Sequence, residues 1–315
     1  LKPFPGLVPA CTGASGFFSP ASNLDQPRPG QQVPERMGNT FGTKATKVLR
    51  GHTGGIWCVT ISTDGLWAAS GSFDHTVRLW NLSGDAANPV TVLQKHTDTV
   101  YGVAFCGGLA QRLASASADG TVRVWDPLKT ATSRVLTRHT SGALCVAWCD
   151  AGRFLYSGGY DNVIRVKNTS AASDPELVFQ GHTDVVLAIA VAAGGRRFAS
   201  ASSDGSVRVW ERDSPEQPPL VLPDNGGGDL RGVAISPAGG WLACGGEDRH
   251  VRLYELQVAS ASVRVLKGHT KWVRSVALQR DVVISASEDS TVRLWSRLSG
   301  DAVHVLRHEN WVWAV

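Results

Sequence analysis

Three side chains, His52, Ser70 and Asp74, are the types a hydrolase would use: a carboxylate to orient an imidazole, and an imidazole to activate a hydroxyl. The same trio recurs as His96, Ser115 and Asp119, as His182, Ser200 and Asp204, and as His269, Ser285 and Asp289, at nearly one spacing. A chain needs only one active site, so the recurrence argues for a structural job. No Gly-x-Ser-x-Gly, Walker loop, His-Glu-x-x-His or paired-carboxylate signature accompanies the trios. The expectation is a protein without catalysis and without a cofactor.

The elements that carry each trio are visible in residues 268–295. A Gly-His pair opens the stretch, two short runs of small, apolar and β-branched residues follow, then the acidic turn Glu288-Asp289. A last run alternates Val292 and Leu294 with Thr291, Arg293 and Trp295. Period-two runs of this length, bounded by turn residues, are strands. One such unit cannot bury both of its faces, and copies supply the neighbours. Copies open at Gly51, Lys95, Arg138 and Gly181 and end at Trp80, Trp125, Lys167 and Trp210; a degenerate one ends at Tyr254, and His308 begins another. The period is roughly 43 residues.

With Gly-His openings, Asp turns and Trp-ended strands at this period, the chain resembles the WD40-repeat β-propeller family from about residue 47 to residue 315. The resemblance implies an all-β fold of four-stranded blades around a central channel. Here that would be a seven-bladed propeller over residues 46–315, with six full repeats and an incomplete last blade. It also implies a hydrogen-bonded chain inside each blade, made of His52, Ser70, Asp74 and Trp80; His96, Ser115, Asp119 and Trp125; His182, Ser200, Asp204 and Trp210; and His269, Ser285, Asp289 and Trp295. Such a chain can satisfy every member, because indole only donates, carboxylate only accepts, and imidazole and hydroxyl do both. Two serines alternate in each strand, and either one could take part. Lys167 in the third repeat, and Tyr254 and Cys244 in the fifth, break the pattern, and those blades are expected to be looser.

Residues 1–45 carry seven prolines and no repeat pattern, which suits an extended, irregular N-terminal arm. The first residue is not Met, so an excised piece of a longer chain is expected. Two strands of the last blade have no counterpart, and a chain that continues is the favoured completion. The net charge of +4 is too mild, and lacks the basic track, for nucleic-acid binding. Six cysteines without a Cys-x-x-Cys pair fit free thiols in a reducing compartment, hence cytoplasm, nucleus or cytoskeleton, and not a metal site. No apolar run reaches the ~18 residues a membrane span needs.

In the resembled family, partners dock around the channel mouth, through the third and fifth residues after the loop His and the residue before the turn Asp. Those positions here hold Trp57, Phe73, Tyr101, Tyr160, Trp272, Trp311 and Trp313, with Arg231, Glu247, Arg274 and Glu288 as a charged sector. Aromatic anchors with arginine are what protein-binding hot spots are made of. The expectation is an interaction scaffold in a multi-protein complex, binding a partner peptide or loop and no small-molecule substrate. The alternative is a regulatory or targeting propeller of a longer, possibly enzymatic, protein. Trp67 and Trp241 are candidates for a second, lateral contact.

Overall fold

A computed structural model describes residues 49–83, 90–107, 112–126, 132–149, 152–171, 173–222, 228–256 and 262–315. The expected N-terminal arm lies outside the described residues. The rest forms six antiparallel sheets of four strands, each a meander in chain order. The first sheet runs Ile56–Ile61, Trp67–Ser72, Val77–Asn81, Val90–Leu93. Among the described residues one short 3-10 turn, Ala193–Gly195, is the sole helical element.

Each sheet is too thin to enclose a core, so the apolar residues of one pack on the next. Cys58, Leu79 and Leu93 of the first sheet meet Val103, Leu113 and Trp125 of the second. Tyr156, Ile164 and Phe179 of the third meet Phe198 and Trp210 of the fourth. The innermost strands, Ile56–Ile61, Val100–Phe105, Ala143–Trp148, Val186–Val191, Leu230–Ile235 and Val273–Gln279, lie one against the next in chain order. Convergence demands small side chains there. The sixth residue after the loop His, or its counterpart, is Cys58, Gly102, Cys145, Ala188, Gly232 and Ser275. A Cβ on Gly102 would fall 2.8 Å from the Leu144 carbonyl oxygen, and one on Gly232 3.0 Å from the Val276 nitrogen.

The expected seventh unit is present as a segment without strand pairing. Residues 309–315 run along the sixth sheet, where Val312 N–H donates to Ser287 O and Val315 N–H to Ser275 Oγ. On the opposite flank Val59 and Ile61 of the first sheet are exposed. Trp313 reaches across from this segment to Trp57, with ring centroids 6.3 Å apart.

Candidate partner-binding mouth

The recurring trios bond within their own sheets. Each indole Nε1 donates to a serine Oγ: Trp80 to Ser70 at 2.9 Å, and Trp125 to Ser115, Trp210 to Ser200 and Trp295 to Ser285 at 2.8 Å. Each of those hydroxyls lies 2.7 Å from Nε2 of His52, His96, His182 or His269 and is placed to donate to it. The Nδ1 side of each ring donates to Asp74, Asp119, Asp204 or Asp289 at 2.7–2.8 Å. The second serine of each strand does different work: Ser72, Ser117, Ser202 and Ser287 donate to a loop carbonyl and accept the N–H of the turn aspartate. Ser70, Ser115, Ser200 and Ser285 are buried and bonded on both sides, so no substrate reaches them.

The charges obey this geometry. Burial pushes the Asp289 carboxyl up, but hydrogen bonds from Thr291, His269 and backbone Thr270 outweigh it and hold it at about 2. Asp74, Asp119 and Asp204 are held below the usual carboxylate range by the same opposition. Burial lowers His52, His182 and His269 despite the aspartate each one faces.

The divergent repeats find substitutes. In the third, His139 bonds Ser157 and Asp161 at 2.9 and 2.8 Å, while Lys167 donates to the Asp174 carbonyl. In the fifth, Cys244 and Tyr254 are fully buried, and Arg252 pairs with Asp248 at 2.5 Å.

A β-bulge builds the mouth. The pairing register slips at the start of every innermost strand, between residues 56 and 58, 100 and 102, 143 and 145, 186 and 188, 230 and 232, and 273 and 275. The residues left out of the ladder are Trp57, Tyr101, Leu144, Leu187, Arg231 and Arg274. A bulged residue is free of the strand's alternation and its side chain can be re-aimed. These six are the fifth-position residues of the six repeats. The seventh-position counterpart, Trp313, stands fifth after His308.

The rings at and beside the bulges of the first, second and sixth sheets touch one another. Trp57 meets Phe73 at 4.8 Å, Tyr101 at 5.5 Å and Trp313 at 6.3 Å, all edge-on. Tyr101 hydrogen-bonds Tyr160, and burial with this neighbour pushes its hydroxyl up to about 12. Trp311 packs on Trp313 at 5.8 Å. The Arg274 guanidinium lies 4.8 Å from the Trp313 ring and 5.1 Å from Trp272, and Arg231 lies 5.2 Å from Trp272. Phe73 and Trp311 remain 48 and 50% exposed; the other rings are half-buried.

The structure corrects the expectation for the two arginines. Arg231 and Arg274 are 3 and 2% exposed and do not meet solvent as anchors. Arg231 Nη2 donates to Asp229 at 2.7 Å and to Glu247 at 2.8 Å, and Arg274 pairs with Glu288. They form a floor beneath Trp272, and the carboxylates of Glu247 and Glu288 lie above them partly exposed. Trp67 packs half-buried on the first core, and Trp241 lies under Arg297, 4.7 Å from its guanidinium. Both rings are half-buried. No signal in the sequence marks the bulge, which sets Trp57 and Tyr101 beside one another and beside the Phe73 and Trp313 rings.

Comparison with known proteins fits this architecture. A family model described as "WD domain, G-beta repeat" matches residues 43–81, 87–126, 131–166, 173–211, 217–255 and 260–296. Striatin-3 of Homo sapiens is 32% identical over 104 residues, which is 30% of this chain and 13% of that protein. Nuclear distribution protein PAC1 of Arthroderma benhamiae is 25% identical over 282 residues, 84% of this chain and 55% of that protein. The probable cytosolic iron-sulfur protein assembly protein CIAO1 homolog of Ixodes scapularis is 36% identical over 102 residues, 31% of this chain and 32% of that protein. With its six sheets, its recurring hydrogen-bonded chains and the matched repeats, this chain belongs to the WD40 repeat family.

Proposed function

We propose that the chain is a non-catalytic scaffold that holds a partner peptide or loop across the bulge-built mouth, as a subunit of a larger complex. The observation that carries this reading is the contact series from Tyr101 through Trp57 and Trp313 to Arg274 and Trp272. It gathers large rings where the fold asks for none, and partly exposed aromatics at one place are suited to anchor a partner. Trp57, Phe73, Tyr101, Tyr160, Trp272, Trp311 and Trp313 supply the contact, and Arg231, Arg274, Glu247 and Glu288 support it. The buried thiols Cys58, Cys106, Cys145, Cys149 and Cys244 suit a reducing compartment.

The test is a triple variant, Trp57→Ala, Trp272→Ala, Trp313→Ala, used as bait beside the parent chain under quantitative mass spectrometry. Partners lost from the variant, with its melting temperature near that of the parent, support the mouth. Identical partner sets would move the contact to another face.

A second reading is supported by length. The chain spans 13% of striatin-3 and 55% of PAC1, so it can equally serve as the targeting or regulatory part of a longer protein.

A further inference from the structure

The mouth is electrically lopsided. Asp184 and Ser203 of the fourth repeat stand beside Asp229 and Glu247 of the fifth: Ser203 hydrogen-bonds Asp229, and the Asp184 and Glu247 charges act on it. Burial with those two neighbours pushes the Asp229 carboxyl up against the opposing pull of Arg231. The balancing cation is beneath the surface. Arg231's side chain is 4% exposed, whereas those of Asp229 and Glu247 are 24 and 27% exposed, and Asp184 is open to solvent. An arriving partner therefore meets carboxylate oxygen and not guanidinium. The next pair repeats the order, with Arg274 buried and Glu288 above it. Lys271, 5.8 Å from the Trp311 ring, and Arg249, in the turn after Glu247, are exposed cations on the same repeats.

A second observation concerns donors. Arg231 gives only Nη2 to its two carboxylates. Its Nε and Nη1, and the Trp57 Nε1, are buried with no acceptor among the described residues. Buried donors of this kind are ordinarily paired. They lie beneath the surface, out of a partner's reach, so recognition on the fifth repeat falls to the partly exposed carboxylates above them.

Resting on the mouth reading above, we infer that the partner is an extended peptide segment carrying a lysine or arginine. Its cation sits on Asp184, Asp229 and Glu247, and its apolar side chain lies against Trp57 and Trp313. An acidic or phosphorylated segment meets three carboxylates and is repelled.

The probe is a set of short immobilised peptides, each with one leucine and one variable residue: Lys, Gln or Glu. The parent chain should hold the Lys peptides about ten-fold more tightly than the Gln peptides, and the Glu peptides most weakly. The Lys preference should shrink as salt rises, since exposed charges are screened. The variants Asp184→Asn and Glu247→Gln each retain an acceptor oxygen, and melting temperature checks that both fold. Each should narrow the difference in retention between Lys and Gln peptides, and the two together should narrow it further. Equal retention already in the parent, or a preference for Glu, overturns the charge inference while the mouth stands. Retention unchanged by Trp57→Ala with Trp313→Ala, or no retention of any peptide, overturns the mouth reading and this inference with it.

Discussion

Asp289 receives hydrogen bonds from the His269 ring, the Thr270 and Thr291 amides and the Thr291 hydroxyl. Replacing it by Ala strands these donors inside the sheet. Asp289→Ala should lower stability by roughly 1–3 kcal/mol, read from the urea midpoint. The same chains predict a pH response. His52, His182 and His269 lie below their ordinary value of 6.5 when folded, so unfolding takes up protons. Their contribution is full above that value and is lost as pH falls through the folded values. The aspartates act in the same direction at lower pH: Asp289 contributes fully above 3.8 and loses its contribution as pH approaches about 2. Melting temperature should therefore be flat near neutrality and fall on acidification, first through the histidine range and then through the carboxylate range. A melting temperature that rises below pH ~6 would contradict the proton count. At this scale the sequence is readable, because His, Ser, Asp and Trp recur at fixed spacing and their donors and acceptors match. Which serine serves was open; Ser70 takes the indole and imidazole, and Ser72 takes the turn.

At the scale of the element, the innermost strand carries two features a strand pattern does not announce. One is the small residue facing the next strand. Gly102→Val would press branched carbons on the Leu144 carbonyl and Cys145 Cα. Overpacking of this kind should cost about 1–3 kcal/mol, seen as an earlier urea midpoint with unchanged slope. The other is the bulge. An extra residue leaves no mark in composition or alternation, so Trp57, Tyr101, Arg231 and Arg274 were legible only by their place after the loop His. The arginines show the limit of that reading. Arginine is ordinarily a surface residue, and the carboxylate that lets Arg274 be buried, Glu288, follows the neighbouring strand of the same sheet and is not beside it in sequence.

For the whole molecule, the first and sixth sheets differ from the others: Val59 and Ile61 of the first lie open to solvent, and among the described residues Trp313 touches both flanks, at Trp57 and at Arg274. In a repeat array each unit is held by its neighbours, so losing a contact between two units loosens the units it joins. Trp313→Ala should raise amide hydrogen exchange in Ile56–Ile61 and Val273–Gln279 and leave Val186–Val191 unchanged. Uniform exchange in all three strands would show that the bridge carries no stability. The all-β, repeat-built architecture was plain in the sequence, since a period and a strand pattern survive heavy substitution. The joining contact was not, because it depends on a tryptophan that belongs to no ladder.

A residue outside the ladder has a further property. Trp57, Tyr101, Leu144, Leu187, Arg231 and Arg274 stand where the backbone register slips, so the ladder itself does not select their side chains. Of the six only Trp57 and Tyr101 keep contact with solvent, so an engineer who wants to alter that patch can exchange two letters and leave every strand as it is.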